Sequence, residues 1–268
     1  MYGALIGDIV GSKYEFNNIK TKDFPLFSKG CSFTDDTVMT VAVARALINS
    51  QEKGLEFHAE LVAQMQSLGK RFAFPQCGYG SRFKAWLTSP DPKPYRSFGN
   101  GSAMRVSPCG LFADTLEEAL FLAKASAEVT HNHPEGIKGA QAVAAAVFMA
   151  KTGKTKEQIK AYIEENFYRL DFTLDAIRPA YAFDETCQGS VPQAIAAFLE
   201  SVSYEDAVRN AVSLGGDSDT LAAITGSVAW SYYGCKGKDK TMSEMLACAK
   251  KYLPEDFIST IREIQDLS

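Results

Sequence analysis

The sequence of 268 residues has no feature that would place the protein in a membrane or outside the cell. Its longest uncharged stretch with helical character, 220–235, contains two glycines and is too short to span a bilayer. The first residues carry no basic segment, so we expect no secretory signal. The six cysteines are scattered, without a CxxC pair or a regular framework. We therefore expect a cytoplasmic protein with free thiols and no membrane association.

The sequence also lacks an excess of basic residues. It has 28 lysines and arginines against 32 acids, which gives a formal net charge of -4. A protein that binds free nucleic acid normally needs a positive surface field, so we expect no nucleic-acid partner. The charged fraction of 22% and the hydrophobic fraction of 46% are typical of an ordinary globular protein. Composition thus argues against a membrane protein, a secreted protein and a nucleic-acid-binding protein, but it does not indicate a chemistry.

No convincing series of alternating strands occurs, whereas signals for the start of a helix recur. The capping box, a hydroxyl residue followed three positions later by Glu or Gln, begins at Thr115, Thr155, Ser190 and Thr241. Pro134 suits the first turn of a further helix. No linker or break in composition divides the chain. We predict an all-α protein of roughly a dozen helices that forms a single domain over 1–268 and is a monomer by default.

Two glycine-containing regions stand out. Gly3, Gly7 and Gly11 are spaced to form a groove on one face of a first helix, which indicates either close packing on a neighbour or the approach of a ligand at the helix exit. The region 74–110 holds five of the ten prolines and five glycines. Long irregular stretches inside a compact domain are often functional.

Two acidic segments far apart in the sequence resemble each other. Asp35 and Asp36 lie between threonines at the start of one predicted helix, and Asp217 and Asp219 precede Thr220 at the start of another. Each segment alone is explained by helix capping, since Asp and Thr are favoured N-caps. A cap needs only one carboxylate, however, and each segment has two. If both segments meet, four carboxylates would repel one another unless they were protonated or neutralised by cations. Hard oxygen ligands suit Mg²⁺, Mn²⁺ or Ca²⁺, and four negative charges balance two divalent ions.

Further polar signals lie in loops. The turn 97–105 contains Gly99, Asn100 and Gly101, and its backbone amides either cradle a phosphate or simply form a tight turn. The segment 78–81 is a weaker candidate of the same kind. His131 precedes a predicted helix, where it either binds a phosphate, as a neutral or a cationic side chain, or belongs to a cap with His133.

Taken together, these segments resemble the ADP-ribosylglycohydrolase family, the relatives of dinitrogenase reductase-activating glycohydrolase. The matching pieces occur in the order of the family and cover about 3–234: Gly7-Asp8-Ile-Val-Gly11 with Tyr14-Glu15, Thr34-Asp35-Asp36-Thr37, Gly78-Tyr-Gly80, Gly99-Asn-Gly-Ser-Ala-Met-Arg105, Thr130-His131 and Gly215-Gly-Asp-Ser-Asp-Thr220. The resemblance implies a single compact domain of orthogonal helices with two divalent cations, Mg²⁺ first and Mn²⁺ as the other candidate.

The resemblance also implies roles for individual residues. The metal ligands would be Thr34, Asp35, Asp36, Asp217, Asp219 and Thr220. Catalytic roles would belong to Glu15, Asp35 and Asp36, where Glu15 is a base, a gate or a ligand. Contacts to substrate would come from Gly78, Gly80 and Ser81, from Gly99, Asn100, Gly101, Ser102 and His131 around the diphosphate, and from Phe98 near the adenine.

The resemblance implies a metal-dependent hydrolase that releases ADP-ribose from a modified protein or small-molecule acceptor. Two other functions stay open at this point. One is a two-metal hydrolase of another nucleotide or phosphate ester, since such sites also serve phosphoryl chemistry. The other is a catalytically silent relative that only binds ADP-ribose. The acceptor linkage, which is arginine, serine, polymer, ester or another, is not readable from the sequence.

Overall fold

Fifteen helices and their connecting loops form the part of the chain that the computed structural model describes, residues 1–234, 237 and 240–267. In chain order the helices are α1 (Tyr2–Ser12), α2 (Asp35–Lys53), α3 (Phe57–Arg71), α4 (Ser81–Thr88), α5 (Gly101–Met104), α6 (Ser107–Phe112), α7 (Leu116–Glu128), α8 (Pro134–Lys151), α9 (Lys156–Asn166), α10 (Leu174–Ile177), α11 (Cys187–Leu199), α12 (Tyr204–Ser213), α13 (Ser218–Gly234), α14 (Lys240–Ala249) and α15 (Glu255–Asp266). No strand occurs within these residues, and the prediction of an all-α protein is confirmed.

The centre of the fold is the pair formed by α1 and α13. Nearly all of α1 is buried, and α13 is buried along most of its length. A Cβ atom added to Gly7 would lie 2.0 Å from the carbonyl oxygen of Ala222, and one added to Gly3 would lie 2.2 Å from that of Gly226. Such distances are too short for any side chain, so the glycines permit direct contact between the two helix backbones. The close-packing interpretation of the glycine groove is therefore confirmed.

Most of the predicted helix starts agree with the structure. Thr115 caps α7 and Thr155 forms a complete capping box on α9, while Pro134 is the first residue of α8. The start predicted at Ser190 is wrong, because Thr186 caps α11 four residues before Ser190 and the helix continues past Pro192. The start predicted at Thr241 is also displaced, since α14 already includes Lys240.

Other helices surround the central pair. Helix α13 packs against α8, α11 and α12, and α2 packs against α1, α3 and α15. As a result, the N-termini of α2 and α13 lie next to the C-terminal end of α1. The five described cysteines are free thiols, and Cys235 lies outside the described residues. Among the described helices, none is both long and apolar enough to cross a lipid bilayer.

Candidate active site

The two acidic segments meet where α2 and α13 begin. The Thr220 hydroxyl donates a hydrogen bond to Asp36 Oδ2 at 3.3 Å, across a sequence separation of 184 residues. One carboxylate oxygen from each of Glu15, Asp217 and Asp219 lies within 4.8 Å of the others. The fold therefore brings together the acids of α2, the acids of α13 and the glutamate that follows α1.

Asp8, to which the sequence analysis assigned no role, organises this junction from inside α1. Its buried carboxylate accepts hydrogen bonds from the backbone N–H of Thr34 at 2.9 Å, the Thr34 hydroxyl at 2.8 Å and the backbone N–H of Thr37 at 3.1 Å. The sequence does contain a signal for Asp8, because it is a charged residue in an otherwise apolar helix. The carboxylate satisfies unpaired donors of the first turn of α2 and so fixes the position of the first acidic segment.

Burial and mutual repulsion raise the pKa values of these acids. Burial raises the pKa of Asp8 to about 6. Burial, with the charges of Asp8 and Asp217, raises the pKa of Asp35 to about 6. Burial, followed by the charges of Asp217 and Asp35, raises the pKa of Glu15 to about 7. The pKa of Asp36 and that of Asp219 are raised well above the ordinary value by burial and by the neighbouring carboxylates. Full ionisation of the group at neutral pH therefore requires positive charge nearby.

The donor set fits divalent cations that prefer oxygen ligands. Asp36 Oδ1 is buried and accepts no hydrogen bond from the described residues, although an ionised carboxylate is an acceptor at both oxygens. The oxygens of Glu15, Asp217 and Asp219 are close enough together to share one ion. This group of three consists of carboxylates alone, a donor set that suits Mg²⁺ or Mn²⁺. Thr34 differs from the other predicted ligands, because its hydroxyl already donates to Asp8 and accepts from the backbone N–H of Asp36.

Two asparagines hold the loops that carry the acids. The Asn18 amide donates to the backbone carbonyls of Glu15 at 2.8 Å and Gly216 at 2.9 Å, and it accepts from the Gly216 N–H at 2.7 Å. Gly216 has a φ of 75°, a conformation that favours glycine. Asn100 donates to Asp217 Oδ2 at 2.7 Å. The positions of Glu15 and Asp217 are thus fixed relative to each other and to the glycine loop of 99–101.

These residues form one wall of a cavity of about 340 Å³. Thirteen of the predicted site residues line it: Glu15, Asp35, Asp36, Gly78, Gly80, Ser81, Gly99, Asn100, Gly101, His131, Asp217, Asp219 and Thr220. Residues that the sequence analysis had not assigned also line it, among them Arg82, Tyr95, Arg105, Phe183 and Glu185. The last two come from the irregular loop before α11, where no periodic pattern pointed to a function.

Three predicted residues lie outside the cavity wall. Thr34 caps α2 from behind the acids. Ser102 is buried, and its hydroxyl donates to the Gly136 carbonyl at 2.7 Å. The ring of Phe98 contacts the ring of His133 at a centroid distance of 5.3 Å. Ser102 and Phe98 therefore support the loop and α8, and the cavity itself is lined by their glycine and asparagine neighbours.

The rest of the wall is suited to an anion. Nε2 of His131 faces Gly99 and Gly101, and Nδ1 lies 2.7 Å from the Thr130 hydroxyl. Arg105 is only 1% exposed and bonds to neutral oxygens, including that of Thr130 at 2.9 Å. Burial lowers the pKa of Arg105 to about 10, so its charge persists at neutral pH. Burial and the charges of Arg105 and Arg82 lower the pKa of His131 well below its ordinary value, which makes a neutral imidazole.

Comparison with known proteins gives one consistent result. The sequence model of the family described as ADP-ribosylglycohydrolase matches residues 1–263. The chain is 28% identical to ADP-ribosylhydrolase ARH3 of Gallus gallus over 87% of this chain and 83% of that protein. It is 24% identical to ADP-ribosylarginine hydrolase Tri1 of Pseudomonas putida (strain GB-1) over 92% of this chain and 73% of that protein. A solved chain of an ADP-ribosylglycohydrolase-related protein complex superposes with a TM-score of 0.72 at 22% identity, covering 100% of this chain and 95% of that one, and so shares its fold.

Proposed function

Because the chain belongs to the ADP-ribosylglycohydrolase family, we propose that it hydrolyses the bond between ADP-ribose and a modified acceptor and that it requires divalent cations. The observation that carries this proposal is the composition of the cavity wall. Acids from three elements gather at one part of it, and the glycine loop, His131 and Arg105 form another. A molecule with an anionic diphosphate and a ribose at its end matches both parts.

The anion-binding part of the wall would hold the diphosphate through neutral and cationic donors. The glycine loop offers the backbone N–H of Gly101, since those of Gly99 and Asn100 donate to Ser97 Oγ and to the Glu185 carbonyl. His131 offers Nε2–H when its Nδ1 accepts from Thr130. Arg105 contributes a positive charge that no carboxylate of the described residues neutralises by an ion pair. The distal ribose would then reach the acids.

The acids would hold two divalent cations. We propose Asp35, Asp36, Asp217, Asp219 and Thr220 as ligands, with Thr34 supporting the first segment. When bound, such cations neutralise the carboxylates, orient the ribose hydroxyls and activate water. Glu15 is suited to accept a proton from the attacking water, because its carboxylate lines the cavity and lies beside those of Asp217 and Asp219. The new bond joins the water oxygen to the anomeric carbon, the bond to the acceptor breaks, and the acceptor takes up a proton.

The test is release of free ADP-ribose from defined ADP-ribosylated substrates, with and without a chelator. We expect activity with Mg²⁺ or Mn²⁺ and its loss in EDTA. Asp36→Asn and Asp217→Asn should each lower turnover by at least about 100-fold, with the fold retained because size is conserved. Asp171→Asn, at an exposed position, is the matched control. Activity that ignores EDTA would refute the cation requirement. Cleavage of other phosphate esters instead, or binding without turnover, would refute the proposed hydrolysis of the bond between ADP-ribose and its acceptor.

A further inference from the structure

Two phenylalanines stack on each other in solvent at the rim of the cavity. Phe16 is 80% exposed and Phe183 is 43% exposed, and their ring centroids are 6.2 Å apart with an interplanar angle of 19°. Among the exposed phenylalanines of the described residues, this is the one pair that stacks ring on ring. Exposed aromatic surface lowers stability relative to burial, so a pair at a cavity mouth indicates a contact surface.

The pair stands next to the acids. Phe16 directly follows Glu15, and Phe183 and Glu15 line the same cavity. The loop that carries Phe183 is joined to the cavity floor, because the Glu185 carbonyl accepts a hydrogen bond from the Asn100 N–H at 2.7 Å. In the proposed reaction the bond that breaks lies beside the acids, so the leaving group would pass this rim.

A free carboxylate accompanies the rings. Glu185 is exposed and lines the cavity, and it forms no ion pair within the described part of the chain. Two basic residues that contact or precede this loop are engaged elsewhere. Lys20 bonds to the Tyr181 and Leu214 carbonyls, and Arg178 pairs with Asp175. Aromatic faces beside an unpaired carboxylate attract a cation, and a planar guanidinium stacks on such faces better than an ammonium does.

We propose that Phe16, Phe183 and Glu185 form an acceptor subsite that selects a guanidinium group, so that the substrate class is ADP-ribose linked to arginine. This inference rests on the proposed function and deepens it. A guanidinium that carries ribose on one nitrogen keeps its positive charge, and it leaves as neutral guanidine plus the proton taken from water. A serine hydroxyl gains nothing from the rings or from the carboxylate.

The same features argue against an adenine site at this rim. Adenine is neutral and belongs to a dianionic nucleotide, which the charge of Glu185 would repel. The side chains that would bind the anion come from other elements, because His131 follows α7 and Arg105 follows α5. The rings and Glu185 therefore match the cationic leaving group and not the nucleotide.

The experiment compares two peptides of one sequence, ADP-ribosylated on a single arginine or on a single serine. We expect the wild type to hydrolyse the arginine linkage with the higher kcat/KM. Phe183→Ala, Phe16→Ala and Glu185→Gln should each lower kcat/KM on the arginine linkage about fivefold or more and on the serine linkage less than twofold. The affinity for free ADP-ribose should stay unchanged. Phe121→Ala, which removes an exposed ring from α7, and Glu117→Gln are the matched controls.

Salt gives a second readout. The KM for the arginine linkage should rise with NaCl in the wild type and less steeply in Glu185→Gln, because the attraction at an exposed charge is screened.

The outcomes separate the two proposals. A wild type that prefers serine overturns the acceptor assignment and leaves the hydrolase intact. Equal losses on both linkages together with weaker binding of ADP-ribose would show that the rings contact the nucleotide, which also overturns the assignment. If the wild type hydrolyses no linkage with Mg²⁺ or Mn²⁺ present, the proposed function fails and the acceptor subsite fails with it.

Discussion

Stabilisation by divalent cations should grow as the pH rises, because the candidate ligands are acids with raised pKa values. The folded protein without cations binds protons more tightly at these groups than the unfolded chain does. For Asp35 this favours folding below the ordinary pKa of 3.8, and the contribution is lost as the pH rises through about 6. For Glu15 the corresponding interval runs from 4.5 to about 7. The proposed cations would replace protons in this interval and offset the repulsion.

The magnitude follows from Asp35, an acid among the proposed ligands. A rise in the pKa of Asp35 from 3.8 to about 6 corresponds to about 3 kcal/mol of stability lost between those pH values. For a chain of 268 residues, 1 kcal/mol changes Tm by about 2 °C. A cation present at 100 times its dissociation constant restores about 2.7 kcal/mol. We therefore expect Mg²⁺ to raise Tm by about 5 °C at pH 8 and by less than about 1 °C at pH 5.

The assay is thermal unfolding in EDTA or in saturating Mg²⁺ across this range of pH. Using the difference between the two conditions removes the contributions of all acids outside the site. Asp36→Asn removes a buried acid whose Oδ1 lacks a partner, so it should lose most of the shift caused by Mg²⁺ and be more stable than the wild type in EDTA at pH 8. Asp171→Asn should retain the full shift. An equal effect of Mg²⁺ at pH 5 and pH 8, or a full effect in Asp36→Asn, would refute the reasoning.

Three further predictions concern the groups around the acids. Gly7→Ala should lower the free energy of unfolding by about 3 kcal/mol in denaturant unfolding, because the new methyl group overlaps the backbone of α13. The control is Gly234→Ala, whose new methyl group would lie 3.9 Å from the Met242 methyl group. It should leave the free energy of unfolding unchanged or higher. Asn18→Ala should lower kcat roughly tenfold while leaving the affinity for ADP-ribose unchanged, because it frees the loop that carries Glu15; an unchanged kcat would contradict this positioning role. The His131 ring proton signal, assigned by its absence in His131→Gln, should not titrate between pH 8 and pH 5 in NMR spectra, because burial lowers its pKa; a shift in that interval would show a cationic side chain.

Local patterns predicted the parts of the fold that depend on neighbouring residues. The capping residues Thr115 and Thr155 and the spacing of the α1 glycines indicated where helices begin and which face packs closely. Ser190 failed as a helix start because the chain offered a second hydroxyl, Thr186, whose fit depends on the loop before it and on Asp184. Local signals of equal quality compete, and tertiary contacts decide between them.

The acids of the site were predictable because each segment contains more carboxylates than a helix cap requires. What the sequence did not show are the contacts that hold them. Asn18 joins two loops that are 198 residues apart, and Asn100 reaches Asp217 over 117 residues. Neither hydrogen bond produces a periodic pattern in the sequence. Phe183 and Glu185 lie in a loop without regular structure, so their place at the cavity became visible only in three dimensions.

The packing of α1 on α13 explains why an unfavourable cluster of charges persists. A Cβ atom on Gly11 would lie 2.4 Å from the Ser218 carbonyl oxygen and 2.6 Å from Asp219 Cα, so the contact between the helices extends to the first turn of α13. The apolar surface buried along both helices stabilises this contact whatever the charge state of the acids. The exit of α1 is therefore held against the start of α13, and Glu15 stays beside Asp217 and Asp219 even when they repel. The proposed cations would not need to assemble these oxygens from separate elements, since the glycine contact has already placed them. Their binding would mainly relieve the repulsion that packing enforces.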